Sequence, residues 1–237
     1  MNKIWIMLAI ATIISCQSND DNSEDQLIIP ALLISQSNNC TGNANYTLTF
    51  NSTWSATTHP TDFPADPHFS GLIGATHSSR VTFWSAGSPA TSGIKEMAER
   101  GRKIELTNEV TSAINAGTAF SVLSGDNLDN SPGSVTFTFD ITQSFPLVTM
   151  VTMIAPSPDW FVGVSGISLC ENNQWVATKS IDLFAYDSGT DSGSTFTSEN
   201  AITSPPGVIT RLTSGIFFVN NQVPKLGTFT FQKNSGL

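Results

Sequence analysis

The sequence predicts an all-β fold, an antiparallel β-sandwich with one short helix. Short runs in which apolar and polar residues alternate recur along the chain, as they do in half-buried strands. Clusters of glycine, proline, asparagine and serine separate these runs and mark turns. A single stretch, Gly93–Arg102, has apolar residues at helical spacing. A lone short helix among many strands favours a sandwich.

The predicted strands are of two kinds. Two runs, Leu147–Ile154 and Phe161–Leu169, are almost continuously apolar, as expected of central strands that are covered on both faces. The other runs alternate and are expected to place one face on a core. These alternating runs are Tyr46–Phe50, Val81–Trp84, Val135–Phe139 and Thr228–Phe231.

The predicted helix is amphipathic and has a recognisable end. Ile94 and Met97 fall on one face, and Gly101 stands where a helix would stop. Glu96 and Glu99 on the same stretch resemble a catalytic carboxylate pair. The basic residues around them instead favour a solvated, ion-paired helix surface.

The first 15 residues predict a secretory signal peptide. One lysine precedes an apolar run from Ile4 to Ile14, which is too short for a stable membrane span. The tetrapeptide that ends at Cys16 resembles the lipobox of bacterial lipoproteins, in which the cysteine is lipidated after cleavage. We therefore expect a lipid anchor on Cys16 that holds the protein to the bilayer of the cell envelope. The alternative is an ordinary signal peptide with a chance cysteine.

Residues 16–39 are expected to form an acidic and polar tether. The string QSNDDNSEDQ contains no hydrophobic residue. An acidic stretch directly after the lipidated cysteine resembles a surface-export signal of some gram-negative lipoproteins, which favours the outer membrane. The sequence is compatible with a domain on the periplasmic face or on the external face. Leu27–Asn39 is compatible with a linker or with a first strand. Residues 40–237 are expected to form one β domain.

Composition and charge restrict the function. Charged residues make up only 12% of the chain and the net charge is −9. This acidity excludes nucleic acid as a partner and favours cations. The spacing of His59, His68 and His77 fits no common zinc motif, and the chain has no G-x-S-x-G elbow or glycine-rich phosphate loop. We predict no catalytic residues and no enzyme activity.

Cysteine usage predicts one disulfide. With Cys16 assigned to the anchor, Cys40 and Cys170 remain, and a lone cysteine pair in an exported domain most simply forms a bridge. That bridge would close a loop of about 130 residues. The alternative is two unpaired buried thiols.

The string YDSGTDSGSTF at Tyr186–Phe196 is a candidate cation site. It places Asp187 and Asp191 among residues whose hydroxyls and backbone carbonyls are further oxygen ligands, and a hard cation such as calcium needs several oxygens. Gly189 permits the backbone angles of a tight turn. The pattern is not that of an EF-hand, and by itself it is more typical of a plain solvated turn.

Longer strings make the cation interpretation more specific. MIAPSPDWFVGV at Met153–Val164, followed by DSGTDSG at Asp187–Gly193, closely resembles the spondin N-terminal domain family, named for F-spondin. The similarity runs from about Asn45 to about Leu212. Smaller similar pieces occur in order at Trp54-Ser55, His59-Pro60, Phe63-Pro64, Ser70–His77 and Gly93–Lys95.

The resemblance implies a C2-like antiparallel β-sandwich with calcium-binding loops at one end. It assigns the calcium carboxylates to Asp159, Asp187 and Asp191, and it pairs Cys40 with Cys170. Ser188 replaces the alanine of the common family form, a small-for-small change that we expect to leave the carboxylates alone. Three crowded carboxylates without a cation would repel one another and raise their pKa values, so calcium should stabilise the domain.

The resemblance also implies a role. We expect an exported calcium-binding module for adhesion or recognition of an unknown glycan or protein partner, with Trp160 packed in the core rather than serving as a substrate platform. One alternative is a calcium-dependent extracellular hydrolase, which would need a nucleophile or acid/base pair that we do not find beside the aspartates. The other is an envelope scaffold in which calcium is purely structural.

Overall fold

The computed structural model describes residues 40–235. The predicted signal peptide at residues 1–15, the lipidated Cys16 and the tether at residues 16–39 lie outside that range, so all three stay predictions. Within residues 40–235, no helix has both the length and the apolar character needed to cross a membrane.

Strands and two α-helices account for the regular structure. The strands are β1 (Asn43–Ser52), β2 (His68–Phe69), β3 (Ile73–His77), β4 (Ala119–Ser124), β5 (Gly133–Thr142), β6 (Leu147–Ala155), β7 (Trp160–Ser168), β8 (Cys170–Glu171), β9 (Gln174–Trp175), β10 (Thr178–Leu183), β11 (Tyr186–Asp187), β12 (Thr210–Arg211) and β13 (Gly227–Lys233). The helices are α1 (Ser92–Arg100), α2 (Ile104–Asn115) and a 3₁₀ turn (Gly215–Phe217).

Most of the strands form two antiparallel sheets. The smaller sheet has the order β10-β13-β1-β5. The larger one has the order β12-β11-β7-β6-β3-β4, with β2 paired to the C-terminal end of β6. A separate short hairpin joins β8 to β9. The mostly-β antiparallel prediction is confirmed, and the stacking of the two sheets fits a sandwich.

The main core lies between the two sheets. In β1 the side chains of Tyr46, Leu48 and Phe50 are fully buried while those between them are partly exposed, which is the period-two pattern of a half-buried strand. Phe229 and Phe231 of β13 pair beside them on the same face. Alternation in the sequence therefore reports burial of one strand face.

A second core lies on the outer face of the larger sheet, beneath the helices. β6 separates the two cores: Val148 and Met150 face the first, whereas Val151 and Met153 face the second. This position explains why β6 is apolar almost without interruption, and it confirms the prediction of a strand that is covered on both faces.

The prediction of one short helix is wrong, because α2 follows α1 directly. The apolar residues Leu106, Val110 and Ala113 are buried against the second core. The carboxylate of Glu109 on α2 accepts hydrogen bonds from Gly93 N (2.7 Å) and Thr91 Oγ1 (2.8 Å) at the N-terminus of α1. α2 thus supplies negative charge where the helix dipole of α1 is positive.

The helix that was predicted is confirmed, with slightly different bounds. α1 buries Ile94 and Met97 and ends at Gly101, whose φ of 63° is the left-handed conformation that terminates helices. Glu99 pairs with Lys95 at 2.6 Å, and Glu96 lies 3.6 Å from Arg100. The two glutamates are therefore ion-paired, as expected, although the Glu99 side chain is largely covered.

The predicted strand at Val81–Trp84 is wrong. These residues form a loop, in which Phe83 packs edge-to-face on His77 and Trp84 packs edge-to-face on Phe161. Both aromatic side chains pack into the core beneath the helices. The segment therefore has the alternating sequence pattern of a strand although it pairs with no other strand. The remaining predicted strands correspond to β1, β5, β6, β7 and β13.

The Cys40–Cys170 disulfide is confirmed, with a Cα–Cα distance of 5.7 Å. Cys40 comes just before β1 of the smaller sheet, and Cys170 comes just after β7 of the larger sheet. The bridge therefore joins the two layers of the sandwich covalently. The alternative of two unpaired thiols is excluded.

A buried histidine in the segment between β1 and β2 gives the fold a pH-dependent stability. His59 is fully buried and packs edge-to-face on Phe217, and burial lowers its pKa from 6.5 to about 4. The unfolded chain therefore binds a proton below pH 6.5 that the native chain binds only near pH 4. Acidification between these values must favour unfolding at this site.

We expect the His59→Gln variant to lose less stability on acidification than the wild type. From pH 7.5 to pH 4, the His59 contribution amounts to about 3 kcal/mol, from about 1.4 kcal/mol per pKa unit. Urea unfolding of both proteins at several pH values measures the difference. Subtracting one pH profile from the other cancels the contributions of other titrating groups. These include His77, because burial also lowers its pKa, and Asp187, whose raised pKa acts with the opposite sign. Parallel pH profiles would contradict this assignment.

Candidate functional site

Two neighbouring strands bring the predicted aspartates together. Asp159 lies in the turn between β6 and β7. Asp187, the last residue of β11, pairs with Trp160, the first residue of β7. The segment that follows, residues 187–193 (the acidic loop), then folds across Asp159. Strand pairing, rather than closeness in sequence, forms the cluster.

Asp159 organises the acidic loop through one carboxylate oxygen. Its side chain is fully buried, and Oδ2 accepts hydrogen bonds from Thr190 N (2.7 Å), Ser188 Oγ (2.9 Å) and Asp191 N (3.0 Å). Ser188 N also donates to the Asp159 carbonyl oxygen at 3.1 Å. Hydrogen bonds to an ionised carboxylate are about twice as strong as neutral ones. The carboxylate thus fixes the loop backbone.

The expectation for Ser188 is wrong. The replacement of alanine by serine does not leave the carboxylates alone, because the Ser188 hydroxyl is fully buried and donates to Asp159 Oδ2. The same hydroxyl lies 2.7 Å from Thr190 Oγ1. Ser188 adds a donor to the Asp159 carboxylate that alanine cannot supply.

The other oxygen of Asp159 is left unsatisfied. Oδ1 is buried and has no hydrogen-bond partner among the described residues. A buried carboxylate oxygen without a donor is costly, and most such groups in native proteins are explained by an ion, a water or a functional role. This oxygen, next to further carboxylates, fits the donor chemistry of a hard cation.

Asp187 and Asp191 use the same local turn. Asp187 Oδ1 accepts from Gly189 N and Asp191 Oδ1 accepts from Gly193 N, each at 2.7 Å and each two residues along the chain. This side-chain turn is typical of aspartate before glycine. The second oxygens accept from the indole of Trp160 (3.3 Å) and from Ala201 N (2.8 Å).

The charges of the cluster act on one another. Burial, and then the negative charge of Asp159, raises the pKa of Asp187 to about 6, and the charge of Asp191 adds to the shift. Burial also raises the pKa of Asp159, against the effect of its hydrogen-bond donors. The cluster therefore resists full ionisation in the absence of a positive charge.

The aspartates do not yet form a closed cage. Between residues 40 and 235, no three His, Cys, Asp or Glu side chains stand in an arrangement that would already hold a metal ion. The structure therefore brings Asp159, Asp187 and Asp191 into one acidic cluster, in which Asp187 is half-buried, without a preformed coordination shell. The donor chemistry fits a cation, and hydroxyls, backbone carbonyls or water would have to complete the shell.

Trp160 packs in the core, as expected. It is almost completely buried, and its ring lies 5.4 Å from Phe196 and 5.0 Å from Phe217 in edge-to-face contacts. Its indole nitrogen donates to Asp187 Oδ2. The acidic cluster therefore lies directly against packed aromatic side chains, and the fluorescence of Trp160 can report changes at the aspartates.

Sequence reasoning missed the segment that lies against the acidic loop. Ala201 N donates to Asp191 Oδ2, and Gly207 N donates to Gly189 O at 2.7 Å. A Cβ added to Gly189, whose φ is 79°, would come within 2.7 Å of the Gly207 carbonyl carbon. A backbone N–H leaves no signal in the residue type. In the sequence, only Gly189 and Gly207 indicated that these two segments approach each other closely.

Comparison with known proteins places the domain in a family. A sequence model described as Spondin_N matches residues 44–223, which include all three aspartates. Human Spondin-2 is 36% identical over 175 residues, which cover 72% of this chain and 53% of that protein. Chicken Spondin-1 is 37% identical over 182 residues, which cover 73% of this chain and 22% of that protein.

Mouse Spondin-1 is similar to the same extent, with 38% identity over 182 residues. The chain spans about half the length of Spondin-2 and less than a quarter of the length of Spondin-1. The family match itself covers well over half of this chain and includes the acidic cluster and most of the strands, although β13 lies beyond it. This chain therefore belongs to the spondin N-terminal domain (Spondin_N) family.

Proposed function

We propose that the protein is an exported, membrane-anchored, calcium-binding module that recognises or adheres to an extracellular or envelope partner. The observation that carries the calcium part is the buried Asp159 Oδ1, which lacks a hydrogen-bond partner among the described residues and lies in a cluster of three aspartates. Calcium is the hard cation that best suits carboxylate, hydroxyl and carbonyl oxygens in a flexible arrangement.

Asp159, Asp187 and Asp191 would hold the ion. Calcium takes six to eight oxygens, so the Ser188 and Thr190 hydroxyls, backbone carbonyls or water would contribute the rest. A bound calcium ion supplies positive charge that offsets the mutual repulsion of the carboxylates. Because the shell is not preformed, we expect an affinity near the 10⁻⁴–10⁻³ M of extracellular calcium modules.

A structural role for the ion follows from burial. Asp159 is fully buried, Asp191 is nearly so and Asp187 is half-buried, which leaves a substrate little access to a metal held between them. This burial favours an ion that stabilises the domain over an ion that takes part in hydrolysis. It is equally compatible with a recognition module and with an envelope scaffold, and the partner distinguishes the two.

The recognition role and the location rest on the sequence. Family membership supports the C2-like topology, with the calcium loops at one end of the sandwich, and a surface that binds a glycan or a protein. The lipobox-like Cys16 and the acidic tether support a lipid anchor in the outer membrane, with the domain on the outside of the cell. The net charge of −9 argues against nucleic acid as the partner.

We expect calcium to raise the melting temperature of the wild type relative to EDTA. At a calcium concentration of 100 times the Kd, the stabilisation is about 2.7 kcal/mol, or roughly 5–10 °C for a domain of this size. Asp187→Asn should lose most of this shift. Asp182→Asn is the matched control, because Asp182 is an exposed partner of Lys225 outside the cluster. An unchanged melting temperature of the wild type on chelation would refute calcium binding.

The same proteins can test the recognition role. Screening against a glycan array and an envelope-protein pull-down, with calcium and with EDTA, should give partners that the wild type and Asp182→Asn retain and Asp187→Asn loses. If calcium stabilises the domain but no calcium-dependent partner appears, the scaffold alternative is favoured over recognition.

A further inference from the structure

The chain between two buried anchors runs across the surface beside the acidic loop. Phe196 and Ile209 are both buried, and they fix the ends of the segment. Residues 199–208 (the strap) lie between them and are mostly exposed; Ile202 is 70% and Val208 45% exposed. The strap thus buries little apolar surface of its own, which is typical of segments that open at low free energy.

The acidic loop holds the strap through its backbone. Thr203 N donates to Thr190 O at 3.0 Å, and Gly207 N donates to Gly189 O at 2.7 Å. Thr190 and Gly189 are part of the turn whose shape Asp159 fixes. Any change in the shape of the acidic loop therefore reaches the strap directly.

A side chain adds a tie that involves the cation site itself. Asp191 Oδ2 accepts from Ala201 N at 2.8 Å, while Asp191 Oδ1 accepts from Gly193 N. Asp191 is also one of the three aspartates proposed to hold calcium. One carboxylate therefore binds the acidic loop through one oxygen and the strap through the other.

We propose that the strap is a conformational device controlled by the cation site through Asp191. This inference rests on the proposed calcium binding. With calcium present, the Asp191 carboxylate is held in place, and it holds Ala201 by a charge-assisted bond. Without calcium, repulsion among the carboxylates displaces Asp191 and weakens the tie, so the strap opens more often.

The coupling acts in both directions. If calcium stabilises the closed strap, then loss of the strap contacts must weaken calcium binding by the same factor. The closed strap also holds Ile202 and Val208, two of the exposed large hydrophobic residues of the described chain, in fixed positions. Calcium would thereby control whether these two exposed apolar side chains are held in one fixed arrangement.

Amide hydrogen exchange of the full chain, with calcium chloride and with EDTA, tests the coupling. We expect the Ala201, Thr203 and Gly207 amides to exchange about tenfold more slowly with calcium. Amides within α1 serve as the reference for changes in global stability. If calcium raises the melting temperature but leaves the exchange of the strap unchanged relative to α1, the strap inference is overturned and calcium binding stands.

A matched pair of variants tests the reverse direction. Ala201→Pro removes the N–H that donates to Asp191, whereas Ala201→Ser keeps it. In calcium titrations followed by tryptophan fluorescence, we expect Ala201→Pro to weaken binding about tenfold and Ala201→Ser to leave it unchanged. Equal midpoints for both variants would overturn the coupling.

If calcium changes neither fluorescence nor melting temperature in the wild type, calcium binding and the strap coupling are both refuted. The exchange experiment on the wild type remains decisive if Ala201→Pro does not fold.

Discussion

Replacing Cys40 and Cys170 together by alanine should lower the free energy of unfolding by about 4–5 kcal/mol. The bridge spans 130 residues, and the chain-entropy model assigns a loop of that length roughly this contribution through restriction of the unfolded chain. It also joins the strand layers at the point where β1 begins and β7 ends. Urea unfolding of the double variant and the wild type at pH 7.5, in the same calcium concentration, measures the loss.

Two comparisons separate the bridge from the packing of its side chains. Wild type reduced with dithiothreitol keeps both buried sulfur atoms and should lose nearly as much stability as the double variant. The single variant Cys40→Ala should match the double variant within about 1 kcal/mol, because either change removes the same crosslink. A loss below about 1 kcal/mol in the double variant would mean that the two sheets are held together without the bridge.

The strands were predictable where alternation coincides with burial of one face. Tyr46–Phe50 and Thr228–Phe231 face the main core along β1 and β13, and the sequence period follows directly. Val81–Trp84 shows the same alternation for another reason, since Phe83 and Trp84 are anchors of a loop. A short alternating string therefore indicates aromatic side chains that are buried but does not establish strand pairing.

The second helix was not predictable from its local sequence. α2 contains several β-branched residues, and Lys103 at its N-cap makes no side-chain capping bond. It is helical because Leu106 and Val110 pack on the second core and because Glu109 binds the N-terminus of α1. These contacts are tertiary, so they outweigh the local preferences.

The candidate site was predictable in its residue types but not in its construction. The DxxxD string indicated oxygen ligands, and the family resemblance added Asp159. The pairing of Asp187 with Trp160 that joins them is a contact between strands distant in sequence. Two contacts could not be predicted. The Ser188 hydroxyl that donates to Asp159 stands where the common family form has alanine, and the Ala201 N–H that donates to Asp191 is a backbone group.

The aspartate in the β6–β7 turn has two functions that substitutions can separate. Asp159 Oδ2 accepts the donors that shape the acidic loop, whereas Oδ1 is the oxygen without a partner among the described residues. Asp159→Ala removes both. We expect a loss of about 3–5 kcal/mol in EDTA, because buried donors of Ser188, Thr190 and Asp191 lose their acceptor at about 1–3 kcal/mol each, partly offset by relief of charge repulsion.

Asp159→Asn keeps the acceptor and removes the charge. Its amide oxygen can take the place of Oδ2, and Asp187 no longer lies beside a second buried anion. In EDTA we expect this variant to be at least as stable as the wild type; in calcium we expect it to be less stable, because the ion no longer binds tightly. Melting temperatures of the three proteins in both buffers measure this reversal. If calcium raises the melting temperature of Asp159→Asn as much as that of the wild type, Asp159 is not a calcium ligand. If Asp159→Ala is as stable as the wild type in EDTA, Asp159 does not hold the loop.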